Sequence, residues 1–160
     1  MRSIRRILTL IALVALLAPE ALQAQSDTVG VYCPTDFNDF TGDELTNQFR
    51  LNLERNTVLP GLNIYEEMQD LLYGGSFYGG ELEAIDEVAK RPGLKMVLFF
   101  FFNGNQTQFT LYDPAEPESA ESIVVTVPED FTREEFDDLF SQITSALLNN
   151  YAATDSDRPY

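Results

Sequence analysis

The chain contains no histidine and a single cysteine, Cys33. Without an imidazole, Ser/His/Asp and Cys/His relays, histidine general bases and histidine-rich zinc sites are all excluded. One cysteine cannot close an internal disulfide, so the fold has to rest on its apolar core. Cys33 shares a strand face with Val29 and Val31, and free cysteine is among the most buried residue types, so it reads as a buried apolar thiol. Nothing nearby would activate it as a nucleophile; its remaining functional use would be an intermolecular disulfide.

Basic charge is also scarce. Lys90 and Lys95 are the only lysines, and the formal net charge is −16. Nucleic acid and anionic lipid both demand basic patches, so neither is an expected partner. The acidity fits a solubility device, a salty habitat or an attraction for a basic partner. No phosphate-binding glycine loop is present: "GGSFYGG", Gly74 to Gly80, lacks the lysine and the hydroxyl residue that a P-loop requires. No internal repeat occurs, and low complexity is confined to "DPAEPESAES", Asp113 to Ser122.

Apolar runs long enough to span a bilayer are absent as well. The longest, Ile7 to Ala18, has about 12 residues, against the roughly 20 a transmembrane helix needs. Arg2, Arg5 and Arg6 precede it, and the small residues Ala21 to Ala24 follow, which is the layout of a secretory signal peptide over 1–24 with cleavage after Ala24. Removing that segment, with its three arginines and Glu20, takes the formal charge from −16 to −18. The rest is expected to be a periplasmic or secreted product without stable membrane insertion. It consists of one domain over 25–152 and a frayed tail over 153–160.

Within that domain the elements alternate. "DTVGVYC" alternates Val29, Val31 and Cys33 as a strand with one buried face and stops at Pro34. "TGDELTNQFRLNLER" opens with Thr41 and Glu44 in capping-box spacing and carries Leu45, Phe49 and Leu53 on one helical face. "GLNIYEEMQDLLYGG" reads as a short strand, as a helix bearing Ile64, Met68, Leu71 and Leu72, or as both in part. "GGELEAIDEVAKRPG" is a helix with Leu82, Ile85, Val88 and Ala89 inward, ended by Pro92-Gly93.

"LKMVLFFFF" is an unbroken apolar run of strand length, and Asn103-Gly104 after it signals a type I′ hairpin. On the returning arm Thr107, Phe109 and Leu111 face one way and Gln106, Gln108 and Thr110 the other. The phenylalanines therefore belong in a central strand covered on both faces, since a membrane-inserting hairpin would not pair them with glutamines. "ESIVVTVPE" is a third apolar strand. The last helix begins at a Thr132/Glu135 capping box with a Phe131–Phe136 staple, and turns Phe136, Leu139, Phe140, Ile143 and Leu147 inward. The fold class is α/β (α+β): one small mixed sheet of three to five strands with three or four helices packed on it.

What chemistry remains is that of carboxylates, and acidic residues are too numerous for any pair to be singled out as glycosidase-like. "DFNDFTGDE" concentrates oxygen ligands, with Asp36, Asn38, Asp39 and Asp43 as candidates for weak calcium binding. Against the EF-hand template, however, Phe40 stands at the third ligand position and the glycine comes one place late. The competing assignment is an acidic loop in which Thr41 caps the next helix. Phe77 and Tyr78, isolated between glycines, either tuck onto the core or serve as partner contacts, where aromatics are enriched.

"VGVYCPTDF" leading from strand to helix, "ELEAIDEVAKRPGLKMVLFFFF" leading from helix to central strand, and "QTQFTLYDP" ending in Leu-x-Asp together carry a resemblance. Their order resembles the small α/β domain at the N-terminus of TolB and in CsgG-like and LpoB-like envelope proteins. No propeller, pore-forming hairpin or lipid-accepting cysteine accompanies it. The resemblance implies a non-catalytic exported domain, without a cofactor, that docks to other envelope proteins. The competing functions are a small carboxylate-dependent hydrolase, which requires a cleft holding a carboxylate of raised pKa, and a soluble carrier, which requires an apolar cavity.

Overall fold

The computed structural model describes residues 27–152. The leader assigned to 1–24 and the tail assigned to 153–160 lie outside them. The domain is built as β1 (Thr28–Tyr32), α1 (Gly42–Asn56), β2 (Gly61–Asn63), α2 (Tyr65–Tyr73), α3 (Glu81–Ala89), β3 (Leu94–Asn103), β4 (Gln106–Tyr112), β5 (Glu121–Thr126) and α4 (Arg133–Leu147). The strands form one sheet in the order β2-β1-β3-β4-β5. β1 runs parallel to both β2 and β3, while β3, β4 and β5 form an antiparallel meander. The result is an α/β domain with a mixed five-stranded sheet and a long final helix, as the sequence pattern implies. The ambiguous segment resolves as strand then helix.

Local signals set the helix starts. Thr41 and Thr132 each accept a hydrogen bond from the backbone N–H three residues on, and Glu44 and Glu135 reach back to the cap N–H, completing both capping boxes. Phe131 and Phe136 meet edge to face at 5.0 Å, forming the staple. Gly42 opens α1 where a Cβ would stand 2.5 Å from the Cys33 carbonyl oxygen, so only glycine lets the helix start this close to the end of β1.

α1 and α4 cover one face of the sheet. Their core holds Val29, Val31, Cys33, Leu45, Phe49, Leu98, Phe100, Phe109, Phe136 and Phe140, all fully buried. Phe100 lies at its middle, with ring centroids of Phe109, Phe140 and Phe49 at 5.0, 5.4 and 5.5 Å. α2 and α3 cover the other face, packing Met68, Ala84, Ile85, Val88 and Ala89 on Tyr32, Val97 and Phe99.

Several expectations need correction. Because side chains alternate along a strand, the four phenylalanines divide between the two faces, and only Phe99 and Phe100 are buried; Phe101 and Phe102 are half-buried. Phe102 stacks on Phe37 at 4.5 Å at the open end of the α1/α4 core. Phe101 points to the opposite face, where α3 does not reach it. The hairpin is present, but Asn103 pairs with Gln106, so its two-residue loop is Gly104-Asn105. Gly104 alone has a positive φ there, 62°, as in a type II′ turn, which asks for glycine at the first central position. Leu82, expected inward, is 68% exposed. The third apolar strand, β5, lies at the sheet edge: Ile123 and Val125 are half-buried against the α1/α4 core, and Val124 is 60% exposed.

Candidate functional site

The mismatch in reach between α3 and the sheet leaves a groove. α2 and α3 lie over β1 and the first half of β3, and among the described residues no helix lies above the same face of β4 and β5. Register arranges the floor in two cross-strand rows: Phe99–Thr110–Ser122 and Phe101–Gln108–Val124. Leu82 and Ile85 of α3 with Phe77 form one wall, and Pro114, Pro117 and Ala120 of the β4–β5 connection form the other. The space holds about 940 Å³, within the range typical of binding clefts.

Several of its polar groups are partnered with one another. Thr110 Oγ1 and Ser122 Oγ lie 2.9 Å apart. The Tyr112 hydroxyl donates to Asp86, whose carboxylate also holds Lys90 Nζ at 2.6 Å. Lys90, helped by Tyr112, keeps the Asp86 carboxyl below its ordinary range, and that hydrogen bond in turn pushes the Tyr112 phenol up to about 12. A general acid would need its carboxyl shifted the other way. What the groove offers is apolar surface, framed by carboxylates of α3 at Glu83 and Glu87. A second depression, about 620 Å³ between α1 and α4, is lined mainly by charged and amide side chains such as Arg55, Arg133, Asp137 and Gln48.

The candidate calcium ligands do not converge. Asp36 Oδ1 accepts from the Gly42 N–H at 2.8 Å, and Asp43 Oδ1 accepts from Asn63 Nδ2 at 2.9 Å. Asn38, in the left-handed region at φ 50°, donates its amide to the Glu129 carbonyl, and Asp39 is exposed beside it in a turn closed by Phe37 and Phe40. Among the described residues, no three Asp, Glu or Cys side chains come together in a way that could hold an ion.

The two aromatics differ in burial. Phe77 is half-buried on the α2/α3 core and lines the groove, while Tyr78 is 95% exposed. Gly79 makes room for that ring, since a Cβ there would stand 2.6 Å from Phe77 Cζ. Sequence reasoning missed Phe101, Leu82 and Val124 as surface. The signal available was the polar face of β4: Gln108 stands next to Phe101, and a row containing glutamine is not a dry interior. Cys33 is fully buried; burial pushes its thiol up to about 12, and Sγ donates to the Thr35 carbonyl at 3.3 Å.

No protein-family model and no curated protein matches the chain. Among solved structures it is similar to a point variant of the PelC dodecamer from Paraburkholderia phytofirmans, with 12% identity and a TM-score of 0.46, covering 76% of this chain and 87% of that one. It is also similar to the PelC dodecamer from the same organism in another crystal form, with 13% identity, a TM-score of 0.44, and coverage of 76% and 86%. The functional reading rests on the chain's own groove.

Proposed function

We propose that this chain is an exported, non-catalytic docking domain whose groove receives an apolar segment of another envelope protein, one of basic character. The observation that carries this is the half-covered sheet face. Phe101 and Leu82 line the groove and Val124 lies exposed beyond Gln108 on the same sheet face, apolar surface that no element among the described residues covers, and such surface marks an interaction site. The self-partnered polar groups of the groove favour contact over chemistry, and the charge of −16 favours a basic partner. The resemblance in element order to TolB N-terminal, CsgG-like and LpoB-like domains supports export and envelope location.

Photo-crosslinking tests it. A benzoylphenylalanine at position 82, in the groove wall, should give one adduct with a basic envelope protein identified by mass spectrometry. The same group at the exposed Leu51 on the α1 side should not give it. An apolar small molecule retained through native mass spectrometry, and displaced by Phe101→Glu, would favour a soluble carrier instead. Equal labelling from both positions would remove the groove as the docking surface.

A further inference from the structure

We infer that the partner docks by strand addition: an extended segment pairs with the free edge of β5 and lays its alternate apolar side chains onto the row headed by Val124. This rests on the docking reading and specifies its geometry. The Val127 N–H donates to the Asn105 carbonyl at 2.6 Å, and the β4–β5 register runs without a shift from Glu121 to Thr126. In an antiparallel ladder the hydrogen-bonding direction alternates. Residues 121, 123 and 125 therefore bond to β4, and the backbone N–H and C=O groups of Ser122, Val124 and Thr126 point out of the sheet. β5 ends the sheet order, so none of these groups has a ladder partner among the described residues.

Natural edge strands are usually blunted by lysine, proline, a bulge or a covering element. β5, "ESIVVT", has none of the first three, and its outward-bonding residues carry their side chains on the groove side, where Ser122 lines the floor and Val124 is 60% exposed. A strand added here gains main-chain hydrogen bonds from the edge and side-chain contacts from the groove together.

Charge selects the occupant. Glu116, Glu118 and Glu121 precede or open the strand, and Glu129 and Asp130 follow it. All five are exposed and none forms an ion pair with the described residues, while Lys90, the only cation lining the groove, is held by Asp86. A second copy of this chain would bring its own carboxylates against these. The fitting occupant is an extended segment of a basic protein in which lysine or arginine alternates with aliphatic residues.

The probe is a short capped peptide alternating lysine and valine, followed by fluorescence anisotropy against the full chain and by hydrogen exchange. Val124→Pro removes the outward N–H while leaving the ladder to β4 intact, which proline on an edge permits. It should weaken binding about tenfold, the effect of losing one well-formed hydrogen bond with its partner left unpaired. Val124→Thr keeps the N–H and loses only a methyl contact, so it should weaken binding less than Val124→Pro does, which separates the main-chain bond from the side-chain contact. In the parent, peptide should slow exchange at Ser122, Val124 and Thr126. If the Val124→Pro chain does not fold, that exchange pattern alone decides. Peptide binding that spares those amides and is abolished by Phe101→Glu would overturn strand addition while leaving groove docking in place. Absence of binding would overturn the inference too, with the crosslink from position 82 still reporting on docking. A dimer by light scattering that Val124→Pro dissolves would replace the basic partner by a second copy.

Discussion

Adjacent phenylalanines on β3 should differ sharply in what they contribute. Phe100 is fully buried among Phe49, Phe109 and Phe140, with centroids between 5.0 and 5.5 Å. Truncating such a ring removes its transfer free energy, leaves a cavity and breaks edge and stacking contacts, for a cost of about 3–5 kcal/mol. Phe101, one residue on, is half-buried on the open groove face, where water can fill the space its ring vacates. Phe101→Ala should therefore cost about 1 kcal/mol, since only part of its apolar area is lost from burial. With a urea m-value of about 2 kcal/mol/M, the unfolding midpoint by far-ultraviolet circular dichroism should drop by about 2 M for Phe100→Ala and about 0.5 M for Phe101→Ala. Should Phe100→Ala fail to fold, Phe100→Leu set against Phe101→Leu keeps the comparison like for like, at about 1–1.5 kcal/mol against a few tenths. Equal losses at the two positions, or a larger one at Phe101, would refute the assignment of faces on which both core and groove depend.

Two further outcomes follow from the geometry around β1. Gly42→Ala should destabilise by about 1–3 kcal/mol despite alanine's better helix propensity, because its Cβ meets a backbone oxygen at 2.5 Å; a rise in the thermal midpoint would show that α1 shifts freely. Burial lifts the Cys33 thiol from its ordinary value of 9.0 to about 12, so the unfolded chain loses this proton first as pH climbs. The stability linked to it is fully present below pH 9 and is lost progressively between 9 and 12, by at most about 1.4 kcal/mol per unit. In urea titrations from pH 8 to 11, Cys33→Ala should flatten the alkaline decline. At neutral pH a thiol reagent should label Cys33 only as fast as the chain opens; fast labelling of the folded protein would contradict its burial.

Features that depend on neighbours a few residues apart could be read from the order of amino acids. Both capping boxes, the Phe131–Phe136 staple, three of the four helices, the strand alternation and the buried cysteine were legible because each is settled by local spacing and by which side chains avoid water. How far each layer extends depends on packing between elements distant in the chain. Nothing in "ELEAIDEVA" announces that α3 stops short of Phe101, so Leu82 was assigned to the core and instead walls a groove. The turn moved by one residue because cross-strand pairs such as Phe100 with Phe109 set the register, and the loop had to follow it. Asp36 and Asp43 were rich in ligand chemistry on paper, yet backbone and amide groups from α1 and β2 claim them separately. Local spacing specifies which face of an element is apolar. Whether another element arrives to cover that face is a property of the assembled domain, and here the uncovered remainder is the candidate site.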